Sequence, residues 1–272
     1  MSFQLRTLNI VCSKTELSKI PEGKVLINTI NAHSFNVAKK DKVFAEALST
    51  IENGKMRMGS EEGYEKYLIP DGVSIVKACR WLKAKSQPKE RIAGWDLFVY
   101  EMQRLERESG EWRVESGECF KVMFLGSSNK VLSSIRERAA VDYPDLEIVT
   151  YSPPYKPEFS DEDNKSMMQA INEANPDLLW IGMTAPKQEK WTYLHWEELD
   201  IHCHVGTIGA VFDFYAGTVK RAPLWWQEHS MEWFYRLLFE PKRMWRRYVI
   251  GNTLFLWNIL KEKLQTSLPI WE

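Results

Sequence analysis

The stretch FKVMFLGSSNKVLSSIRERAAV, residues 120–141, carries the pattern from which the fold can be deduced. It begins with a short apolar run, Phe120 to Leu125, which is typical of a buried β-strand. Gly126-Ser127-Ser128 ends this run as a turn, and a helix follows from about Asn129 to Val141. A strand, a tight turn and a helix in this order are the repeating element of a parallel sheet covered by helices.

The same alternation continues on both sides of this stretch. Short apolar runs predict further strands at Lys24–Ile30, Tyr67–Ile69, Leu146–Thr150, Leu178–Ile181 and Ile201–Val205. Helices are predicted at Ser34–Ile51, about Val73–Lys83 and Asp161–Ala174, and Pro186 suits the first turn of another helix. The polar, glycine-punctuated segment 108–118 predicts an exposed loop. We therefore expect an α/β protein with a Rossmann-like, mainly parallel sheet and flanking helices.

The composition narrows the class of protein. With 44% apolar and 27% charged residues, the 272-residue chain is typical of a globular protein. It has neither an N-terminal signal-peptide pattern nor an apolar run near the ~18 residues that span a bilayer. The cysteines are far apart and lack CxxC spacing, which indicates neither a disulfide framework nor a thiolate metal site and suits a reducing cytoplasm. They are Cys12, Cys79, Cys119 and Cys203.

Charge and tryptophan are concentrated at the C-terminal end. Residues 218–272 carry nine Lys or Arg against five Asp or Glu, a net charge of +4, whereas the rest of the chain carries 27 against 32. The same segment holds six of the twelve tryptophans. We therefore expect an α/β domain over residues 1–221 and a helical, basic and aromatic appendage over residues 222–272.

Polar residues follow the predicted strands, where parallel sheets bind their ligands. Thr29 and Asn31 end the first strand, and Asn31 can either hydrogen-bond a ligand or cap the next helix. Asp71 follows another strand within Pro70-Asp71-Gly72, where it can act as a general base or as an ordinary turn residue. Neither residue decides the function alone.

The segment APKQEKW, residues 185–191, places three polar side chains in the first turn of a predicted helix. Lys187, Gln188 and the helix N–H groups can hold a phosphate or a sugar hydroxyl, although the same pattern also suits an amphipathic helix start. The glycine-punctuated stretch at 206–214 can approach a nucleotide closely, but it lacks the GxGxxG spacing of a dinucleotide-binding dehydrogenase.

Two patterns suggest metal sites and are better explained otherwise. Asp161-Glu162-Asp163 spells the DxD pattern of metal-dependent glycosyltransferases, but it opens a helix, where acidic residues favour the helix dipole. His202 and His204 share one face of a predicted strand, without a third ligand beside them. We expect no bound metal.

The C-terminal appendage admits several interpretations. A helix with aromatic residues on one face and arginines on another suits an anionic membrane surface. The arginines can instead bind a pyrophosphate, or the helices can pack as ordinary structure with the arginines solvated. A nucleic-acid surface is a further alternative, against which the acidic remainder of the chain argues. The arginines concerned include Arg221, Arg236, Arg243 and Arg246.

Taken in order, the motifs resemble those of the WecG/TagA/CpsF family, glycosyltransferase family twenty-six. They are TINAHS at 29–34, PDG at 70–72, ERIAGWDLF at 90–98, FLGS at 124–127, APKQEKW at 185–191 and the long block from GAVFDFY to RRY at 209–248. The resemblance implies an inverting transferase that moves a hexose or N-acetylhexosamine from a UDP-sugar to an undecaprenyl-diphosphate-linked saccharide. The product is a precursor of a cell-surface polymer such as teichoic acid, capsule, O-antigen or exopolysaccharide.

The resemblance also assigns roles to residues. It implies Asp71 as the general base, with Thr29 and Asn31 in the catalytic site and with Arg91 and Gln188 lining the same pocket. It implies no metal or other cofactor. It further implies that the appendage docks at the inner face of the cell membrane and brings three arginines over the site. These are Arg236, Arg243 and Arg246.

Two loops depart from the family pattern. Where FLGG and GLGxPKQE are usual, this chain has Gly126-Ser127-Ser128 and Gly182-Met183-Thr184-Ala185. The transferred sugar therefore does not follow from the resemblance. A non-catalytic, membrane-associated nucleotide-sugar-binding subunit is the alternative function, and a homo-oligomer is compatible with the sequence.

Overall fold

The computed structural model describes residues 3–49, 55–56, 64–223, 225–226, 231–239 and 241–267. These residues contain a seven-stranded sheet flanked by helices, which confirms the predicted α/β class. The strands are β1 (Val25–Ile30), β2 (Lys55–Met56), β3 (Tyr64–Pro70), β4 (Phe120–Gly126), β5 (Leu146–Tyr151), β6 (Leu178–Gly182) and β7 (His204–Thr207). Their spatial order is β2-β3-β1-β7-β6-β4-β5, and every neighbouring pair is parallel except β2 with β3.

Helices connect the parallel strands. They are α1 (Ala32–Ala38), α2 (Lys42–Leu48), α3 (Val73–Leu82), α4 (Gly94–Ser116), α5 (Asn129–Asp142), α6 (Asp161–Ala174), α7 (Lys187–Leu194), α8 (Gly209–Tyr215), α9 (Glu232–Phe239), α10 (Pro241–Trp245) and α11 (Gly251–Ser267). A π-helical turn, Arg246–Ile250, joins α10 to α11. Because all six parallel strands end at one edge of the sheet, the loops that follow them meet there.

Both faces of the sheet are covered by apolar side chains. On one face, buried residues of β4 and β6 pack with residues of α4, α5 and α8; this cluster includes Val122, Phe124, Trp180, Phe98, Ile135 and Phe212. On the other face, alternate residues of the same strands pack with α6 and α7; this cluster includes Met123, Leu125, Ile181, Ile171 and Trp191. This alternation explains why the central strands are apolar throughout.

Two glycines make room for large aromatic rings on the first face. A Cβ atom at Gly206 would lie 2.2 Å from the nearest ring atom of Trp180. A Cβ atom at Gly182 would lie 2.6 Å from two ring atoms of Phe212. Packing against these rings therefore requires glycine at both positions.

The predicted helix at Ser34–Ile51 is wrong as a single element. The chain forms α1 and α2 instead, because Asp41 starts a new helix by accepting a hydrogen bond from the Phe44 N–H (3.0 Å). Residues 50 and 51 lie outside the described residues. Asp at an N-cap competes with helix continuation, and this competition divides the segment.

The loop predicted at 108–118 is also wrong, because α4 continues through it to Ser116. Gly110 lies inside the helix, where a Cβ atom would lie 3.2 Å from a carboxylate oxygen of Asp145, so a small residue suits the packing there. The helix ends before Gly117, whose φ of 80° is the left-handed conformation that ends many helices. Two smaller corrections are that Pro186 precedes α7 as its N-cap, and that the last strand begins at His204.

The last helix of the predicted appendage packs against the α/β body. Phe255 and Ile259 of α11 are buried in a third apolar cluster with residues of α1 and α3. The Glu262 carboxylate accepts hydrogen bonds from the backbone N–H groups of Leu5 (3.1 Å) and Arg6 (2.8 Å). α11 is thus held to α1, the helix that follows Asn31.

Candidate active site

The ends of β1 and β3 bring two predicted site residues together. The strands pair in register, with Ile30 opposite Pro70. The Asp71 N–H donates to the Ile30 carbonyl (2.8 Å), so Asp71 lies beside the residue that begins the next turn, Asn31. Asp71 and Asn31 therefore lie side by side along the carboxyl edge of the sheet, as the strand pattern predicts.

Asn31 caps α1, which confirms one of its two proposed roles. Its Oδ1 accepts from the N–H groups of His33 and Ser34 (both 3.0 Å), and Ser34 completes a capping box. Among the described residues no acceptor binds the Asn31 Nδ2. The cap therefore fixes the carboxamide, and its role toward a ligand stays a prediction.

Thr29 lies one residue before the end of β1 and is half-buried. The preceding Asn28 points to the opposite face, because side chains alternate along a strand. Asn28 is fully buried; it donates to the Ala47 carbonyl (3.0 Å) and accepts from the Thr207 hydroxyl (2.7 Å). This polar pair, which ties β1 to β7, was not predicted from the sequence, although a polar residue within an apolar strand was its signal.

Arg91 reaches the site through the segment before α4. The N–H of its neighbour Ile92 donates to the Pro70 carbonyl (3.1 Å), which places Arg91 beside the turn that carries Asp71. The Arg91 guanidinium lies 3.5 Å from a carboxylate oxygen of Glu232, at the start of α9. The first turn of α9, within the C-terminal appendage, therefore contacts the body at a predicted site residue.

Arg221 converges on the same carboxylate. Its guanidinium lies 3.9 Å from the Glu232 oxygen and is stacked near the rings of Trp95 (4.9 Å) and Phe214 (5.9 Å). The three charged side chains, including Arg91, are between 14% and 21% exposed. Two predicted substrate-binding arginines thus lie beside one anionic group, Glu232, a contact that sequence reasoning missed.

Gln188 joins the loops that follow β6 and β7. Its Oε1 accepts from the Gly209 N–H at the start of α8 (3.2 Å), and its Nε2 donates to Glu189 (2.9 Å). Lys187 points elsewhere: its ammonium donates to the Lys156 carbonyl (2.5 Å) and lies over the Phe159 ring. The structure therefore separates Lys187 from Gln188, and its predicted contact with substrate stays a prediction.

The three arginines of the appendage lie on successive segments. Arg236 belongs to α9, Arg243 to α10 and Arg246 to the π-helical turn. The side chains of Arg236 and Arg243 lie outside the described part of the chain, whereas Arg246 is exposed, 5.5 Å from the Trp245 ring centroid. Their predicted position over the site stays a prediction.

Many large apolar side chains of the appendage are exposed. They are Trp225, Trp233, Leu238, Phe239, Trp245, Val249, Ile250, Leu256, Trp257, Leu260 and Leu264, and we call them the apolar surface. Exposed apolar area on this scale is typical of an interaction site. The described helices include none that is both long and apolar enough to cross a bilayer.

The suspected metal motifs have structural roles. Asp163 forms a capping box with Ser160 at the start of α6. The His204 imidazole binds the buried Glu101 carboxylate (3.1 Å) and the Pro21 carbonyl (2.9 Å). Across the described ranges no three His, Cys, Asp or Glu side chains are grouped as a metal site would require.

Two residues of the Gly126-Ser127-Ser128 turn have the left-handed backbone conformation that favours glycine. Gly126 has a φ of 124°, and Ser127 has a φ of 62°, in the left-handed region that favours glycine. The Ser127 carbonyl accepts from the Ser152 hydroxyl (2.8 Å). The turn therefore has a left-handed backbone at the position where glycine is usual in the family pattern.

Comparison with known proteins identifies the family of this chain. The sequence profile of the glycosyl transferase WecG/TagA/CpsF family matches residues 7–268. Three relatives share the name N-acetylglucosaminyldiphosphoundecaprenol N-acetyl-beta-D-mannosaminyltransferase. That of Bacillus subtilis (strain 168) is 26% identical over 88% of this chain and 80% of its own length. That of Bacillus spizizenii is 28% identical (75% and 71%), and that of Staphylococcus aureus (strain NCTC 8325) is 28% identical (92% and 85%). The chain belongs to the WecG/TagA/CpsF family and is a glycosyltransferase.

Proposed function

We propose that this glycosyltransferase moves a hexose or N-acetylhexosamine, with inversion, from a UDP-sugar to an undecaprenyl-diphosphate-linked saccharide for a cell-surface polymer. The observation that carries the proposal is that Asp71 lies at the same sheet edge as Arg91, which meets Arg221 at one carboxylate. A base and a cluster of cations are what an inverting transfer from a diphosphate requires.

Asp71 is proposed to accept the proton of the acceptor hydroxyl as that oxygen attacks the anomeric carbon. Attack from the face opposite UDP inverts the configuration at that carbon. Asn31 lies next to Asp71. Its carboxamide oxygen caps α1, and its Nδ2 group is proposed to donate to a sugar hydroxyl or phosphate. Thr29 lies at the end of the same strand and completes this part of the site.

The negative charge that develops on the leaving UDP has to be stabilised. Arg91 and Arg221 both lie beside the Glu232 carboxylate. Because phosphate and carboxylate bind guanidinium groups in similar ways, the space between the two arginines also suits a phosphate. Gln188 and the N–H groups that begin α7 are proposed to add hydrogen bonds, together with Lys187. We propose that these cations replace a divalent metal, and that Arg236, Arg243 and Arg246 join them when the appendage closes over the site.

The acceptor lipid places the reaction at a membrane. We propose that the apolar surface and the basic residues of the appendage attach the protein to the inner, anionic face of the cell membrane. The names of the relatives indicate the first acceptor to test, N-acetylglucosaminyl-diphosphoundecaprenol, and the first sugar, N-acetylmannosamine. We propose to supply this sugar as UDP-N-acetylmannosamine. The departures at Ser127 and Thr184 are the reason to test other UDP-sugars as well.

Purified full-length protein should be incubated with a panel of UDP-sugars and this acceptor, with products identified by mass spectrometry. One donor is expected to extend the lipid-linked saccharide by one sugar, and the anomeric coupling in the product should show inversion. The reaction is expected to continue in excess EDTA. Binding of UDP without transfer to any polyprenyl-diphosphate acceptor would contradict the proposal.

Membrane attachment is tested by flotation with phosphatidylglycerol vesicles. Trp257→Glu, in the apolar surface, should reduce the bound fraction several-fold, because it places a charge among the exposed apolar side chains. The matched control is Trp112→Glu on α4, since Trp112 is 46% exposed and Trp257 is 54% exposed. Equal loss in both variants, or binding of RNA in place of vesicles, would contradict attachment through this surface.

A further inference from the structure

Glu189 is a buried carboxyl group to which the proposed mechanism gives no role. It lies in the first turn of α7, next to Gln188, and is 2% exposed. One of its oxygens accepts the Gln188 Nε2–H (2.9 Å). The other oxygen has no hydrogen-bond partner among the described residues. A charged carboxylate in this position would be poorly solvated.

The ionisable groups around α7 do not neutralise Glu189. Lys190 pairs with Asp41 of α2 (2.8 Å), and Lys187 binds the Lys156 carbonyl. One turn further along α7, the Tyr193 hydroxyl lies near Glu46 of α2, and Lys66 of β3 lies under the Tyr193 ring and donates to the Glu46 carbonyl. Burial therefore dominates and raises the pKa of the Glu189 carboxyl to about 7, against the smaller effects of its backbone N–H and of Gln188.

The neighbouring Gln188 is fixed at both ends of its carboxamide. Its oxygen accepts from the Gly209 N–H (3.2 Å), and its nitrogen donates to Glu189. The contact is close, because a Cβ atom at Gly209 would lie 2.7 Å from the Gln188 Oε1. With both bonds in place, the carboxamide has one orientation, and its second Nε2 hydrogen takes part in neither bond.

We propose that Glu189 is a positioning residue for donor binding, which acts in its neutral form by holding Gln188 against α8 without adding negative charge beside the donor diphosphate. The inference rests on the proposed function, since it assumes that Gln188 contacts a UDP-sugar. A neutral carboxyl accepts the Gln188 hydrogen bond as an ionised one does. Only the ionised form repels a diphosphate, so affinity for the donor should depend on the protonation of Glu189.

The experiment measures the affinity of the full-length protein for UDP-N-acetylmannosamine by calorimetry between about pH 6 and about pH 8.5. The diphosphate of this probe is esterified at both ends, so its own charge stays constant over the range. In the wild type, affinity should fall by about fivefold or more as the pH rises through the titration of Glu189, the scale of a typical coupling between two sites. Glu189→Gln should keep the affinity of the low-pH wild type at every pH, because its side chain is neutral and still accepts from Gln188.

Two further readouts separate positioning from a structural role. Glu189→Ala should bind the donor more weakly at every pH and should raise KM more than it lowers kcat, while its unfolding midpoint shows whether the fold is retained. Glu189→Gln with the same decline as the wild type would overturn this inference alone, and would show that another group titrates in this range. A wild-type protein that binds no UDP-sugar at any pH would overturn both this inference and the proposed function.

Discussion

Gly182→Ala tests how closely the site loops depend on the packing beneath them. The added methyl group would lie 2.6 Å from two ring atoms of Phe212 and 2.7 Å from a third, about 1 Å inside the normal contact distance. Phe212 is 1% exposed and packs edge-on against Phe124 (5.3 Å), so its ring has little room to move. Overpacking of this kind lowers the unfolding free energy by about 1–3 kcal/mol. Alanine also restricts the unfolded chain more than glycine does, which raises the unfolding free energy by about 0.4–1 kcal/mol. We therefore expect the variant to lose about 1–2 kcal/mol of unfolding free energy.

The assay is equilibrium unfolding in urea, in a double-mutant cycle with Phe212→Leu. The smaller side chain costs stability alone, because it leaves a cavity, but it gives the new methyl group space. The double variant should therefore be more stable than the sum of the single effects by about 1 kcal/mol, with an unchanged m value. An unchanged midpoint in Gly182→Ala, or strict additivity in the cycle, would refute the reasoning.

Three further predictions concern charged groups. Burial acts to lower the pKa of His204, but its hydrogen bond to Glu101 and the charge of Glu101 raise that pKa above the ordinary value. The charged His204 therefore stabilises the folded state, fully below about pH 6.5, and this contribution is lost as the pH rises through the folded-state pKa of His204. Urea midpoints should decline less with pH in His204→Gln than in the wild type. Glu262→Ala removes the charged acceptor of two backbone N–H groups and should cost about 3 kcal/mol or more, measured by urea unfolding, with faster proteolysis of α11. Glu232→Gln removes the carboxylate that competes with UDP for the guanidinium groups of Arg91 and Arg221, so calorimetry should show tighter binding of UDP. Weaker binding would mean that Glu232 instead holds the two arginines in position for the ligand.

The parallel sheet could be predicted because its signal is local. Each buried strand is a short apolar run, and a turn residue such as Gly126 or Asp71 marks its end. The fold class and the edge at which Asn31 and Asp71 meet follow from that pattern. The predicted helix boundaries are less accurate, because the structural roles of Asp41 and Gly110 depend on the residues around them in the fold. Gly110 resembles a loop residue in sequence, but it packs beside Asp145 inside α4.

The missed features depend on contacts between distant parts of the chain. Glu232 is 141 residues from Arg91, and no spacing rule links them. The Asn28–Thr207 pair forms only because β7 returns to lie beside β1. The packing of α7 against α2, through Lys190 with Asp41, is likewise a contact that sequence periodicity does not show.

The most direct test of the central claim is Asp71→Asn in the full-length protein, measured as single-turnover sugar transfer to the lipid-linked acceptor. The substitution keeps the shape of the side chain and the backbone bond to Ile30, but it removes the group that accepts a proton. The account predicts that transfer falls by about 10²–10⁴-fold, the usual contribution of a general base, while affinity for the UDP-sugar stays within about threefold of the wild type. Transfer at the wild-type rate would contradict the account.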